Sequence, residues 1–257
     1  FFFFFRQSMK MIRLLYLFIL IIFLTPRTSF AQVTVTNPTN TTPNLAATYT
    51  SLANAITALN TITAISGPVI ITLNAGNPQT APSGGYIINF TATTSAANNV
   101  TIAGSNNTIT AFTPQPTGSV IDAIFKIQGA NFVTIRNFTM QENPANTTTG
   151  GATPTNLTTG NNMTEWGVAL LYRNNTDGAQ NNTIQNNNIS LNRTYTNTYG
   201  IYSSVRHSPT APTVTADIVN ATTAPNSGNK IYGNNISNVN MGITMVGSAV
   251  AAQMDNG

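Results

Sequence analysis

The stretch Asn182-Thr183-Ile184-Gln185-Asn186-Asn187-Asn188-Ile189-Ser190 constrains the fold more than any other. It returns as Asn229-Lys230-Ile231-Tyr232-Gly233-Asn234-Asn235-Ile236-Ser237, and earlier as Val133-Thr134-Ile135-Arg136-Asn137-Phe138-Thr139-Met140. Each copy reads Ile, any residue, Asn or Gly, two more residues, then Ile or Met. Two short apolar strand stubs therefore flank a corner of Asn or Gly, residues that tolerate left-handed backbone angles. A repeated strand–corner–strand unit is the pattern of a solenoid, with Ile filling the interior and Asn amides stacking along the axis.

A second element recurs in the same order. Trp166-Gly167-Val168-Ala169, Tyr199-Gly200-Ile201-Tyr202 and Met241-Gly242-Ile243-Thr244 each follow one apolar pair. Further short strands are expected at Pro68–Leu73, Tyr86–Phe90, Val100–Ala103, Ile124–Gln128 and Phe132–Arg136. Such strands suit a sandwich, a barrel or a β-helix. One Asn-cornered motif in a fixed order selects the β-helix. Ile135 to Ile184 spans 49 residues and Ile184 to Ile231 spans 47, whereas a unit of this type takes roughly 20–30. The excess falls in the Thr-, Asn- and Pro-rich segments Asn143–Glu165 and Arg206–Gly228. They leave at the two ends of the strand face that carries the Gly elements, which predicts a groove on that face.

One helix is expected ahead of the strands. Thr50 or Ser51 can cap it, and Leu52, Ala55, Ile56 and Leu59 share one face. Laid across the first coil, it would seal the apolar end of the array. Residues 32–48 read as a loose lead-in and 49–257 as the β domain. The chain stops at Gly257 without a polar closing cap and reads as a piece of a longer protein.

Residues 1–31 read as a secretory signal with an over-extended start, translation beginning at Met9 or Met11. Arg6, Lys10 and Arg13 form a basic flank, Leu14–Leu24 an apolar run, and Ser29-Phe30-Ala31 a small-x-small cleavage site. Eleven apolar residues are too few to cross a bilayer, so no membrane contact is expected after cleavage. The expected location is secreted or cell-surface. Four of the ten Lys and Arg precede Gln32, leaving six cations against six acids. The basic pI therefore belongs to the leader, and no nucleic-acid partner is expected. With no Cys and a single His, His207, neither a zinc site nor a Cys–His nucleophile is expected. His207 reads as an exposed loop residue.

Tyr49-Thr50-Ser51-Leu52, the run Ile124-Phe125-Lys126-Ile127-Gln128-Gly129-Ala130-Asn131 into Val133-Thr134-Ile135, and the Asn-Ile coils resemble one family. It is the secreted right-handed parallel β-helix proteins of pectin-lyase-like fold, found as N-terminal regions of large exported or surface bacterial proteins. Many relatives end in a type IX sorting domain. The resemblance runs from about Tyr49 to the end and implies an all-β, right-handed parallel β-helix solenoid with a short N-terminal capping helix. It also implies that some relatives cleave acidic polysaccharides with stacked Asp, calcium and a basic residue, and that others use paired carboxylates.

Stacking of acids is therefore the test of an enzyme. Asp122 and Glu142 flank the first coil and Glu165 and Asp177 the second, none sharing a coil position; Glu165 and Asp177 can face each other across a corner, but stray solvated acids are the preferred reading. No catalytic residue, metal site or cofactor is assigned. If Val168, Ile201 and Ile243 point inward, alternation sends Ala169, Leu171 and Arg173 outward, then Tyr202, Ser204 and Arg206. Tyr202, Arg173 and Arg206 form the candidate ligand-binding set, a ring for stacking on a sugar and donors for its oxygens. The leading expectation is a non-catalytic scaffold or adhesin-like module with a polysaccharide or other surface glycan as partner. The alternative is a carbohydrate-active enzyme of the same fold. Ice binding would need regular Thr-x-Thr on one face, and Thr108-Ile109-Thr110 stands alone.

Overall fold

The computed structural model describes residues 31–117, 121–149, 161–174, 176–204, 207–208, 211–212 and 225–247. The expected signal segment before Ala31 and Arg206 lie outside the described residues, as does the side chain of His207.

Nearly all regular structure is strand. Three parallel sheets are visited in a constant order, and one pass through them is a circuit. Sheet I carries Tyr86–Ile88, Ala123–Gln128, Trp166–Leu171, Tyr199–Ser204 and Met241–Val246. Sheet II carries Val69–Leu73, Val100–Ala103, Val133–Arg136, Thr183–Gln185 and Lys230–Tyr232. Sheet III carries Gln79–Thr80, Thr108–Thr110, Thr139–Gln141, Asn188–Ser190 and Asn235–Ser237. Each strand pairs with its counterpart one circuit later.

The register aligns like with like. Ile71, Ile102, Ile135, Ile184 and Ile231 form one interior rank in sheet II. Ile109, Met140, Ile189 and Ile236 form another in sheet III. Phe125, Val168, Ile201 and Ile243 form the rank in sheet I, so the expected phase holds there. Residues from all three sheets share one apolar core. A slip of one residue in any strand would turn its Ile rank to solvent, which makes the register costly to change.

The corners follow the sequence. Asn137, Asn186 and Gly233, at equivalent positions, all have positive φ, of 58°, 55° and 66°. Asn187 next to them is buried, and its Oδ1 accepts from Phe138 N at 3.1 Å while its Nδ2 donates to Ile135 O at 3.1 Å. Its own N–H donates to Asn234 Oδ1 at 3.0 Å. Asn182 repeats the arrangement with Val133, Ala130 and Asn229. These amides replace the ladder bonds that a corner interrupts, so buried backbone groups stay paired. The Gly elements have a steric cause. A Cβ on Gly167 would lie 2.5 Å from Ile189 Cγ2 and 2.6 Å from Gly200 O.

Helix α1 spans Leu52–Leu59, with the Ser51 side chain accepting from Asn54 N and Leu52, Ala55, Ile56 and Leu59 buried, as expected. It closes two sheet edges. Asn60 at its C-terminus donates to Ile87 O at 2.8 Å and accepts from Asn89 N at 2.9 Å, covering the edge of sheet I. Leu52 N donates to Gln79 Oε1 at 3.0 Å, at the edge of sheet III. The edge of sheet II is covered by Val33–Thr36, which pairs antiparallel with Val69–Leu73 and with Thr48–Tyr49. The lead-in is therefore not loose. Val33 and Val35 alternate with Thr34 and Thr36 and are buried on the core. Such coverage stops an exposed strand edge from recruiting other chains. The second insertion also holds regular structure, since His207–Ser208 pairs antiparallel with Ala211–Pro212.

Candidate functional site

Both insertions adjoin sheet I, and the polar chemistry gathers at the start of its strands. Ala123 and Trp166 are register partners, so Asp122 and Glu165, one residue earlier, occupy the same position in successive circuits. This corrects the expectation that no two acids stack. Tyr199 is the next partner, which puts Thr198 third in the column.

Nor are these acids solvated, because Asp122 and Glu165 are both 0% exposed. Each takes the other's main-chain amide. Glu165 Oε2 accepts from Asp122 N at 2.9 Å and from Ile121 N at 3.1 Å, while Asp122 Oδ1 accepts from Glu165 N at 3.2 Å. The Tyr195 hydroxyl donates to Glu165 Oε1 at 3.3 Å. Asp122 Oδ2 meets no donor.

Burial, then the neighbouring Glu165 charge, pushes the Asp122 carboxyl well above the usual range. Burial also raises Glu165, against hydrogen bonds that favour its charged form. Two carboxylates in one dry site cannot both ionise cheaply. Of the two, the site favours a neutral Asp122 over a neutral Glu165, because three donors already serve the Glu165 oxygens and only one serves Asp122. Lys126 stands close, its Nζ donating to Ile121 O at 3.0 Å. Burial lowers its pKa and the two acids partly restore it.

Glu142 braces the end of the first insertion. Its Oε2 accepts from Thr164 N at 2.8 Å, and its Oε1 accepts from the Thr164 hydroxyl at 2.9 Å and Asn146 Nδ2 at 2.8 Å. Gln115 Nε2 donates to Thr164 Oγ1 at 3.2 Å. Glu142 and Gln115 are thus both tied to Thr164, the residue before Glu165.

The ligand-binding set is placed differently from expectation. Tyr202 points to the outer side of sheet I but is only 5% exposed, its ring stacked on Trp166 at 5.0 Å and edge-on to Tyr199 at 5.1 Å. With Ala123, Ala169 and Leu171 these rings form a second apolar cluster on the face expected to be an open groove. The aromatic rank fills itself and leaves no bare ring for a sugar. Arg173 is ion-paired with Asp177 at 2.5 Å and donates to Phe90 O at 2.6 Å. It forms one wall of a cavity of about 220 Å³ with Thr91, Thr93 and Asn131. Asp177 is thus the partner of Arg173, not of Glu165.

Among the described residues no group of three or more His, Cys, Asp or Glu is arranged to hold a metal ion. No helix among them is long and apolar enough to cross a membrane. No family model matches the chain, and neither a curated protein nor a solved structure matches it.

Proposed function

We propose that the chain is a non-catalytic scaffold module, exported to the cell exterior or surface, with glycans as its contacts. In this reading the three sheets wind as one right-handed parallel β-helix solenoid. The constant order of the sheets supports it, as does the strong preference of parallel crossovers for the right hand. Export is supported by the basic, apolar and small-residue layout of the leading segment. The observation that carries the non-catalytic reading is the complete burial of Asp122 and Glu165. An acid–base pair must reach the proton it transfers, and three of these four enclosed oxygens already accept from main-chain amides of the facing circuit or from the Tyr195 hydroxyl.

A second reading, a polysaccharide-cleaving enzyme of the same fold, draws on one observation. Two carboxyls on adjacent circuits, each hydrogen-bonded to the other's main-chain amide and both raised by burial, make a pair capable of general acid–base work. Both readings meet in one assay. The purified chain is incubated with neutral and acidic polysaccharides, and new reducing ends and unsaturated products are followed. The scaffold reading expects neither. Turnover that disappears in Glu165→Gln, with the fold intact, would establish the enzyme.

A further inference from the structure

The corner before sheet II repeats in three circuits. Phe132, Asn181 and Gly228 are equivalent, and all have positive φ, of 53°, 55° and 68°. Asn and Gly adopt that region readily, whereas a Phe there is an outlier. Gly228 has no alternative, because a Cβ would strike the Asn181 side chain. Phe132 has no such excuse. It is partly buried and is not part of the buried core. Strain of this kind persists where the side chain is needed in that place.

The ring lines a cavity of about 210 Å³ on the outward face of sheet II. Thr134, Thr183 and Lys230, one register rank in successive circuits, make its floor, with Asn99 and Asn181 at the side. In the next outward rank stand Arg136, Gln185 and Tyr232. Arg136 Nε is buried without a hydrogen-bond partner, and Tyr232 is 54% exposed. No acid occupies an outward position of the parallel strands of this sheet.

We propose that this cleft binds an anionic sugar unit, carboxylated or sulfated, of an extended glycan. The C–H face of the sugar packs on Phe132, its hydroxyls meet Thr134, Thr183 and the two Asn amides, and Lys230 meets the anion, with Arg136 adding positive charge from the next outward rank. This deepens the glycan-contact part of the function above and moves the contact from sheet I to sheet II. Its test measures binding and not turnover, so its failure leaves the scaffold reading standing.

The full chain is titrated calorimetrically with oligosaccharides of alginate, of dextran sulfate and of neutral dextran. Alginate and dextran sulfate separate a carboxylate ligand from a sulfate ligand, and binding of either with dextran silent supports the proposal. Phe132→Asn, which copies Asn181, is expected to weaken that binding on the order of ten-fold. The same change relieves the backbone and raises the unfolding midpoint by about 2 to 4 °C. Lys230→Gln weakens binding without moving the midpoint. Equal affinity for dextran, no binding of either anionic sugar at millimolar concentration, or unchanged affinity in both variants overturns the proposal. A lowered midpoint in Phe132→Asn also overturns it, since the ring would then be a structural plug.

Discussion

Replacing Asp122 by Asn should make the protein's stability less sensitive to rising pH. In the folded chain Asp122 and Glu165 both titrate above their ordinary values, chiefly through burial. The folded state therefore holds a proton that the unfolded state releases from about pH 4 upward. Stability from this source is complete below that pH and is lost as pH rises through the folded pKa values. While the difference of one proton lasts, the slope is about 1.4 kcal/mol per pH unit, or roughly 3 to 5 °C in Tm. Against the 5–15 kcal/mol typical of a domain, two such units are a large share. Asn copies the protonated carboxyl: Oδ1 still accepts from Glu165 N, and Nδ2 can donate toward Glu165. Asp122→Asn should therefore equal the parent near pH 4 and exceed it at pH 8. Asp122→Ala should fall below the parent at pH 4 by about 1–3 kcal/mol, because the buried Glu165 amide loses its acceptor. Lys126, lowered by burial, acts in the opposite sense at higher pH. Urea unfolding followed by fluorescence of Trp166, the one Trp, measures each stability from pH 4 to 8. A parent whose stability is flat over this range, or an Asn variant with the parent's slope, would refute the retained proton.

Two further outcomes test the frame. Asn187→Ala leaves Phe138 N without its acceptor and Ile135 O without this donor, both buried, and should cost about 2–5 kcal/mol by urea unfolding. Asn188→Ala, one residue on and exposed, should change stability by under about 0.5 kcal/mol. Gly200→Ala drives a methyl into Ile236 Cγ2 and to 2.6 Å from Gly242 O, and should cost about 1–3 kcal/mol. In a double-mutant cycle Ile236→Ala, which removes that Cγ2, should lower the cost of Gly200→Ala, whereas a tolerated Gly200→Ala would mean that the Gly column is not set by packing.

Local patterns carried most of the architecture into view. Ser51 and the Leu52, Ala55, Ile56, Leu59 spacing define α1, and the Ile-x-Asn corners define the turn from sheet II to sheet III. These depend on residues within a few positions of one another. What escaped depends on distant pairing. Val33 and Val35 become a strand only because Val69–Leu73 offers an edge some forty residues later. Asp122 and Glu165 stack because Ala123 and Trp166 share a register, but Ile124 stands where the next circuits carry Gly167 and Gly200. Without a Gly there, Ala123-Ile124-Phe125 does not look like Trp166-Gly167-Val168, and the insertion ahead of Glu165 removes any help from counting. Tyr202 was assigned to the correct side of its strand, yet alternation says nothing about what covers that side, and here the rings of Trp166 and Tyr199 do.

Charge balance illustrates the same limit and has a consequence for binding. Six cations and six acids after residue 31 suggest a neutral surface, but burial divides the two signs unequally. Among the described residues Asp122 and Glu165 are enclosed, Glu142 is held by Thr164 and Asn146, and Asp177 is spent on Arg173. Lys126 is the one enclosed cation, while Arg193 and Lys230 stay exposed and Arg136 partly so. The accessible field of this region is therefore more positive than its formal charge, and the charges at outward positions of the parallel strands of sheet II, Arg136 and Lys230, are both positive. Attraction between exposed charges is screened over about 8 Å at physiological ionic strength and over about 3 Å at 1 M. Anionic oligosaccharides bound at the Phe132 cleft should consequently release as salt is raised, and Lys230→Gln should flatten that dependence. Release that is independent of salt would assign the affinity to the ring and hydroxyls alone and remove the anion from the ligand.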